Sequence, residues 1–274
     1  IDMARLKLFC RTATPFTTKG GLDEGALRQF LQRFIKNKIG VCLCSAGGGE
    51  SHALTWQELR RIYEIGLEEC KGKVPVHANP PEQYSARLTR DYIRQAAEAG
   101  VDMVSIYGLA SRHGMQPTGK ELALYFKEVL SGIEHPMILG VNADIMGYTP
   151  GPEVMADVCN RYPNIMAFNL SHAGDGYFLK FREHLRRDIP IYVHCIGSLN
   201  KFTMGARGVF GTDANIIPGT LRGYIDACES GDLAKAGRLY ARIVRYANHV
   251  AQWPSARAIK MAMRLLKLPG WEGG

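Results

Sequence analysis

The stretch Asn164–His172, NIMAFNLSH, is a short apolar run that breaks off in polar residues. Its length and its polar boundary predict a β-strand over 164–170, with Asn169 at the last inward-facing position. Seven more runs of this kind precede and follow it: 6–13, 40–45, 74–79, 101–107, 136–142, 189–195 and 208–213. Between them lie amphipathic helical patterns. In the first, Leu27, Phe30, Leu31, Phe34 and Ile35 recur at the 3.6-residue period. Thr55 with Glu58 and Thr118 with Glu121 have the spacing of capping boxes at two helix starts.

Eight strands that alternate with helices imply parallel βαβ units. In a chain of 274 residues the simplest closed arrangement is a (β/α)₈ TIM barrel, an α/β fold. Two further helical patterns, about 233–250 and 255–268, exceed the barrel's needs. The expected organisation is therefore a barrel over 1–232 and a C-terminal helical extension over 233–274. No low-complexity segment or change of composition divides the chain.

Composition narrows the class. Hydrophobic residues make up 46% and charged residues 22%, an ordinary globular balance. No run approaches the roughly 20 apolar residues of a membrane span, so no membrane partner is expected. The opening IDMARLKLFCRT has no cationic segment followed by an apolar one, and no secretory leader is expected. The seven cysteines, an odd number, show neither a disulfide framework nor zinc-ligand spacing, which points to a reduced, cytoplasmic protein. The net charge of +8 is concentrated: Leu233 to Lys267 carries eight Lys/Arg and no Asp/Glu. Arg257, Lys260, Arg264 and Lys267 share one helical face, opposite Ile259, Met263 and Leu266. Without aromatic interleaving this reads as a solvated face, and no nucleic acid is expected.

In such a barrel, chemistry belongs to the C-terminal ends of the strands and the loops after them. That selects Thr14, Ser45 to Glu50, His77 to Asn79, Tyr107 to His113, Gly140 to Asp144, Asn169 to His172, His194 to Cys195, and Asp213 to Asn215. Four of the eight histidines fall there: His77, His113, His172 and His194. A neutral imidazole is a competent base near pH 7. Asn79, Asn142, Asn169 and Asn215 can orient a carboxylate, hydroxyl or carbonyl, or can cap loops. No G-x-G-x-x-G follows the first strand, so no dinucleotide cofactor is expected. A metal reading would need His77, His194 and Asp144 to meet, and no spacing supports it.

Several segments resemble the dihydrodipicolinate synthase / N-acetylneuraminate lyase family of class I aldolases. They are TATPF (12–16), SAGGGES (45–51), KVPVHAN (73–79) with AAEAGVD (96–102), PMILGVNADIMG (136–147), GARGVFGTDANIIP (205–218), SGDLAKA (230–236) and PSARAIKMAMRLLKLPG (254–270). The resemblance spans nearly the whole chain, in order, and implies the barrel and a homodimer or homotetramer. It also implies where the family's chemistry should sit. The Schiff-base lysine falls on Asn169. The fifth-strand tyrosine falls on Gly140, and the two threonines of the second loop fall on Gly47 and Gly48. The carboxylate-binding arginine falls near Ile145. The tyrosine pair after the fourth strand has no clean counterpart, although Tyr107 is close. Of the other lysines, Lys7 is expected on the outer face of the first strand, in alternation with Leu6, Leu8, Cys10 and Thr12. Lys201 is the nearest substitute.

Asparagine can orient a ligand but cannot form an imine. The three glycines should enlarge the pocket. The expected catalytic residues are His77, Asn169, His194 and Tyr107, and the expected binding residues are Ser45, Gly47, Gly48, Asn79, Asn142 and Asn215. No metal and no cofactor are expected. The function that follows is a lyase or hydratase acting on an oxo-acid-like or larger polar small molecule without a lysine Schiff base. The alternatives are a non-catalytic ligand-binding or regulatory member, and an adaptor that uses the basic helix.

Overall fold

The computed structural model of the chain describes residues 7–111, 114–253 and 255–270. Eight parallel strands close on themselves in sequence order: β1 Leu8–Arg11, β2 Gly40–Leu43, β3 Val76–Ala78, β4 Met103–Tyr107, β5 Met137–Val141, β6 Ile165–Leu170, β7 Ile191–Val193 and β8 Gly208–Gly211. The helices are α1 Glu24–Lys36, α2 Ala46–Gly49, α3 Trp56–Cys70, α4 Ala86–Ala99, α5 Gly119–Leu130, α6 Ala143–Met146, α7 Pro152–Arg161, α8 Asp175–His184, α9 Ser198–Thr203, α10 Pro218–Ser230, α11 Leu233–Val250 and α12 Ser255–Leu265. This is a (β/α)₈ TIM barrel with additional C-terminal helices. Each predicted strand contains an observed one, and both capping boxes form, Thr55 with Glu58 and Thr118 with Glu121. Among the described residues no helix is long and apolar enough to cross a membrane.

The core has two shells. Phe9, Cys42, Met103, Ile138, Ala167, Tyr192 and Phe210 fill the barrel interior, while a larger apolar layer joins the strands to the helices. On β1, Phe9 points to the axis, whereas Leu8 and Cys10 join the outer layer. The expected alternation on this strand was therefore out of phase by one residue. Lys7 still stays out of the site, for a different reason: it lies below the barrel and pairs with Glu229 at the end of α10, Nζ to Oε1 2.7 Å.

Strand β6 carries an irregularity at its start. Met137 pairs with Ile165 but Ile138 pairs with Ala167, so Met166 is an extra residue, and it is 45% exposed. The bulge sends Ile165 to the outer layer, not to the axis as alternation alone predicts, while Ala167 faces inward and Phe168 stacks on Phe181 of α8 at 3.9 Å.

The last two helices sit over the barrel mouth. Tyr240 of α11 accepts a hydrogen bond from the Gly197 N–H at 2.7 Å. Lys260 of α12 is not solvated with its basic neighbours. Its Nζ lies 3.3 Å from Glu50 Oε2 and 4.6 Å from the centre of the Phe16 ring, and it donates to the Thr14 carbonyl. Burial lowers its pKa.

Candidate active site

A cleft of about 540 Å³ opens at the C-terminal ends of the strands and is roofed by α11, α12 and the turn between them. Its floor and walls include Arg11, Gly47, Asn142, Asp144, Ser171, His172, His194 and Asp213, and its roof includes Tyr246, Trp253 and Ile259. Among the described residues lining it there is no lysine. Lys201, the nearest substitute by sequence, is held by Asp175 at 2.9 Å and by the Gly197 carbonyl at 3.3 Å.

His194 follows β7. Its Nδ1 accepts the Ile196 N–H at 3.2 Å, which leaves the proton of the neutral ring on Nε2. Nε2 lies 3.7 Å from Asp213 Oδ2. The His172 ring packs against it, with centroids 4.5 Å apart. Burial lowers the His194 pKa to about 4; Asp213 opposes the shift, and the His172 and Arg11 charges add to it. The same Asp213 oxygen accepts from the Cys195 thiol at 2.8 Å. Burial and that carboxylate drive the thiol pKa well above its usual value. His194, Cys195 and Asp213 thus bring three potential metal-ligand atoms within 4.8 Å of one another. That is a different set from the one considered on the sequence, because His77 is elsewhere.

His77 was expected to be catalytic. It is 0% exposed and stacks on Phe9 at 4.7 Å inside the barrel, one layer below the cleft. Neither ring nitrogen has a hydrogen-bond partner, and burial depresses its pKa to about 3. It is a neutral core residue because alternation on β3 puts it in the apolar layer. His113 lies outside the described residues.

Asn169 is 0% exposed and lies just behind the cleft wall. Its Nδ2 donates to Ser171 Oγ at 3.2 Å, and Ser171 lines the cleft; Oδ1 has no partner. Gly140 pairs with Asn169 across β5 and β6, but it does not open the pocket. The Tyr107 ring from β4 fills the space where a Gly140 side chain would stand. Tyr107 OH accepts from Arg11 Nη2 at 2.7 Å, and burial pushes its pKa up to about 12.

The remaining predicted binding residues divide. Gly47 and Asn142 line the cleft, the latter also capping α6 by accepting the Asp144 N–H at 3.0 Å. Ser45 is buried and caps α2, accepting from the Gly48 N–H at 3.3 Å. Gly48 is a close-approach glycine, since a Cβ there would come 2.9 Å from the Arg11 carbonyl. Asn215 ties β1 to β8: it donates to the carbonyls of Arg11 at 2.8 Å and Thr212 at 2.7 Å and accepts from Ala13 N–H at 2.9 Å. Asn79 lines a separate, water-sized space with Glu82 and Tyr125. Ser45, Gly48, Asn79 and Asn215 are therefore not at the cleft wall.

Sequence reasoning missed Arg11. It is the one charged residue in the apolar β1 segment, and only the correct phase shows that it faces the axis. It is 5% exposed, donates to the Phe210 carbonyl at 3.1 Å and lies over the Phe210 ring at 4.5 Å. The roof residues Tyr246, Trp253 and Ile259 were missed as well, because nothing local to the helices says which end of the barrel they cover.

Comparison with known proteins agrees with this architecture. Over 269 residues the chain is 24% identical to a 4-hydroxy-tetrahydrodipicolinate synthase of Protochlamydia amoebophila, covering 96% of this chain and 87% of the relative. A 4-hydroxy-tetrahydrodipicolinate synthase of Nitratidesulfovibrio vulgaris is 27% identical over 233 residues, covering 85% and 78%. Among solved structures, a dihydrodipicolinate synthase from Bacillus anthracis superposes with a TM-score of 0.89 at 21% identity, over 98% of this chain and 91% of that one. N-acetylneuraminate lyase from Mycoplasma synoviae superposes with a TM-score of 0.82 at 17% identity, over 98% and 90%. The dihydrodipicolinate synthetase family model matches residues 5–272, and the chain belongs to that family.

Proposed function

We propose that the chain is a lyase or hydratase acting on an oxo-acid-like small molecule without a lysine Schiff base. The observation that carries this reading is His194, set at the wall of the cleft between Asp213 and His172. In the neutral ring, Nε2–H can donate to a substrate oxygen on which negative charge develops. His172, 4.5 Å away, supplies a second imidazole through which a proton can leave or return. The sequence resemblance sets Asn169 at the family's lysine position. Asn169 would act on the substrate through Ser171, whose hydroxyl it holds. A reduced, cytoplasmic setting belongs to the same reading and is supported by seven free cysteines.

The test is chemical trapping. The protein is incubated with pyruvate and sodium borohydride and its intact mass is measured. No adduct is expected, and a stable gain of mass at one lysine would revive an aldolase with a displaced nucleophile. In a screen of 2-oxo acids and their hydrated or condensed forms, His194→Asn should lower turnover by about 100-fold or more, the usual worth of a positioned proton-transfer group. Asn169→Leu should lower it by roughly tenfold, the worth of one hydrogen bond to an oriented group.

A further inference from the structure

The guanidinium of Arg11, on which the Glu82 carboxyl acts only through space, is buried with no acidic side chain among the described residues in contact with it. Its described contacts are the Phe210 carbonyl, the Tyr107 hydroxyl and the face of the Phe210 ring, all neutral. Each Nη uses one of its two hydrogens, and Nε has no partner. A buried charge ordinarily comes with an opposite charge, because leaving one unpaired costs several kcal/mol. Burial of Tyr107 holds its phenol neutral, so that hydroxyl cannot serve. Arg11 nonetheless lines the cleft. The cleft changes character above it. Ile145, Ile196, Tyr246, Val250, Trp253 and Ile259 form an apolar upper wall. The space between floor and roof, about 540 Å³, exceeds what a three-carbon acid fills.

We infer that Arg11 takes the carboxylate head of an organic anion whose apolar body lies against α11 and α12. The arrangement is a planar fork of N–H donors on the floor side and a greasy wall under the roof. It names the substrate class for the site and rests on the proposed function only in taking the same cleft. Arg11 stands on β1, whereas the family resemblance puts the carboxylate-binding arginine near Ile145, on the loop after β5. The head group would thus enter at a different point of the barrel and bring its carbonyl or hydroxyl carbon up beside His194. The Arg11 charge already reaches that ring, where it lowers the pKa.

The test is calorimetric titration of the full chain with three probes: phenylacetate, acetate and phenylacetamide. Phenylacetate carries both charge and ring, acetate only the charge, and phenylacetamide only the ring. Phenylacetate should bind about tenfold or more tighter than either of the others, the ratio expected of a charge-assisted fork and of a buried ring. Arg11→Met should abolish the preference for phenylacetate over phenylacetamide, and Arg11→Lys should leave part of it. Equal affinity for phenylacetate and phenylacetamide overturns the inference, as does an Arg11→Met variant that keeps the preference. So does the absence of any phenylacetate binding at about 10 mM, a concentration at which even the weakest specific sites fill. Should Arg11→Met fail to fold, Arg11→Lys and the wild-type comparison decide. Binding needs no turnover, so this result stands apart from that of the borohydride trap.

Discussion

The Tyr107 ring occupies the place of a side chain on Gly140: a Cβ built on Gly140 would come within 2.7 Å of Tyr107 Cε1. The ring from β4 is thereby laid over a bare position on β5, its hydroxyl anchored by Arg11 at 2.7 Å, and Tyr107 lines the small space with Asn79 and Glu82 and not the cleft where it was expected. The two positions should be energetically coupled. Gly140→Ala should destabilise the protein by about 1–3 kcal/mol, because the ring is boxed in on a closed barrel and must leave its rotamer. In a Tyr107→Ala background the same change should cost much less. Chemical denaturation of the four proteins measures the coupling, and purely additive costs would show that the ring moves aside freely.

His77 should make stability depend on pH. Its folded pKa is about 3 against an ordinary 6.5, so between those values the unfolded chain binds a proton that the fold refuses. Stability is therefore complete above about pH 6.5 and is lost as pH falls towards 3. At about pH 5 the loss from this one residue should be roughly 2 kcal/mol, at about 1.4 kcal/mol for each unit below 6.5. His77→Leu should flatten that part of the curve and cost little at pH 7, since no hydrogen bond is removed. Denaturant midpoints of both proteins across pH 4–8 check this, and parallel curves would mean that His77 is solvated or paired.

His194 should stay neutral through the physiological range, because burial lowers its pKa to about 4. Asp213 is the first neighbour that resists the shift, with Asp144 adding to it. Asp213→Asn should therefore move the titration to still lower pH, while Arg11→Met should move it up by removing a nearby positive charge. An NMR titration of the imidazole Cε1–H signal reads both directions. A wild-type midpoint near 6.5 would place the ring in open water instead of at a dry cleft wall.

The basic C-terminal face shows how far helical periodicity reaches. Spacing of three and four put Ile259, Met263 and Leu266 on the apolar side; Ile259 and Met263 are nearly inaccessible, but Leu266, just past the end of α12, is 55% exposed. It could not show that Lys260, on the basic face, turns down to Glu50 and Thr14. That contact depends on where the barrel mouth lies, which no residue of the helix encodes by itself.

The sequence by itself determined the eight strands, the helices between them, their caps and the end of the barrel at which chemistry should lie. Those features come from periods of two and 3.6 residues and from side chains that bond their own backbone, as Thr55 and Thr118 do. Only the tertiary structure decided which face of each strand looks inward. Both faces of a barrel strand are buried, so Leu8 and Phe9 are equally apolar, and polarity cannot tell axis from helix layer. That phase turned Arg11 to the cleft, while the height of β3 in the closed barrel set the inward-facing His77 one layer below it. The crossing of strands laid Tyr107 over Gly140. Each of these is a relation between residues distant along the chain, fixed when the sheet closes.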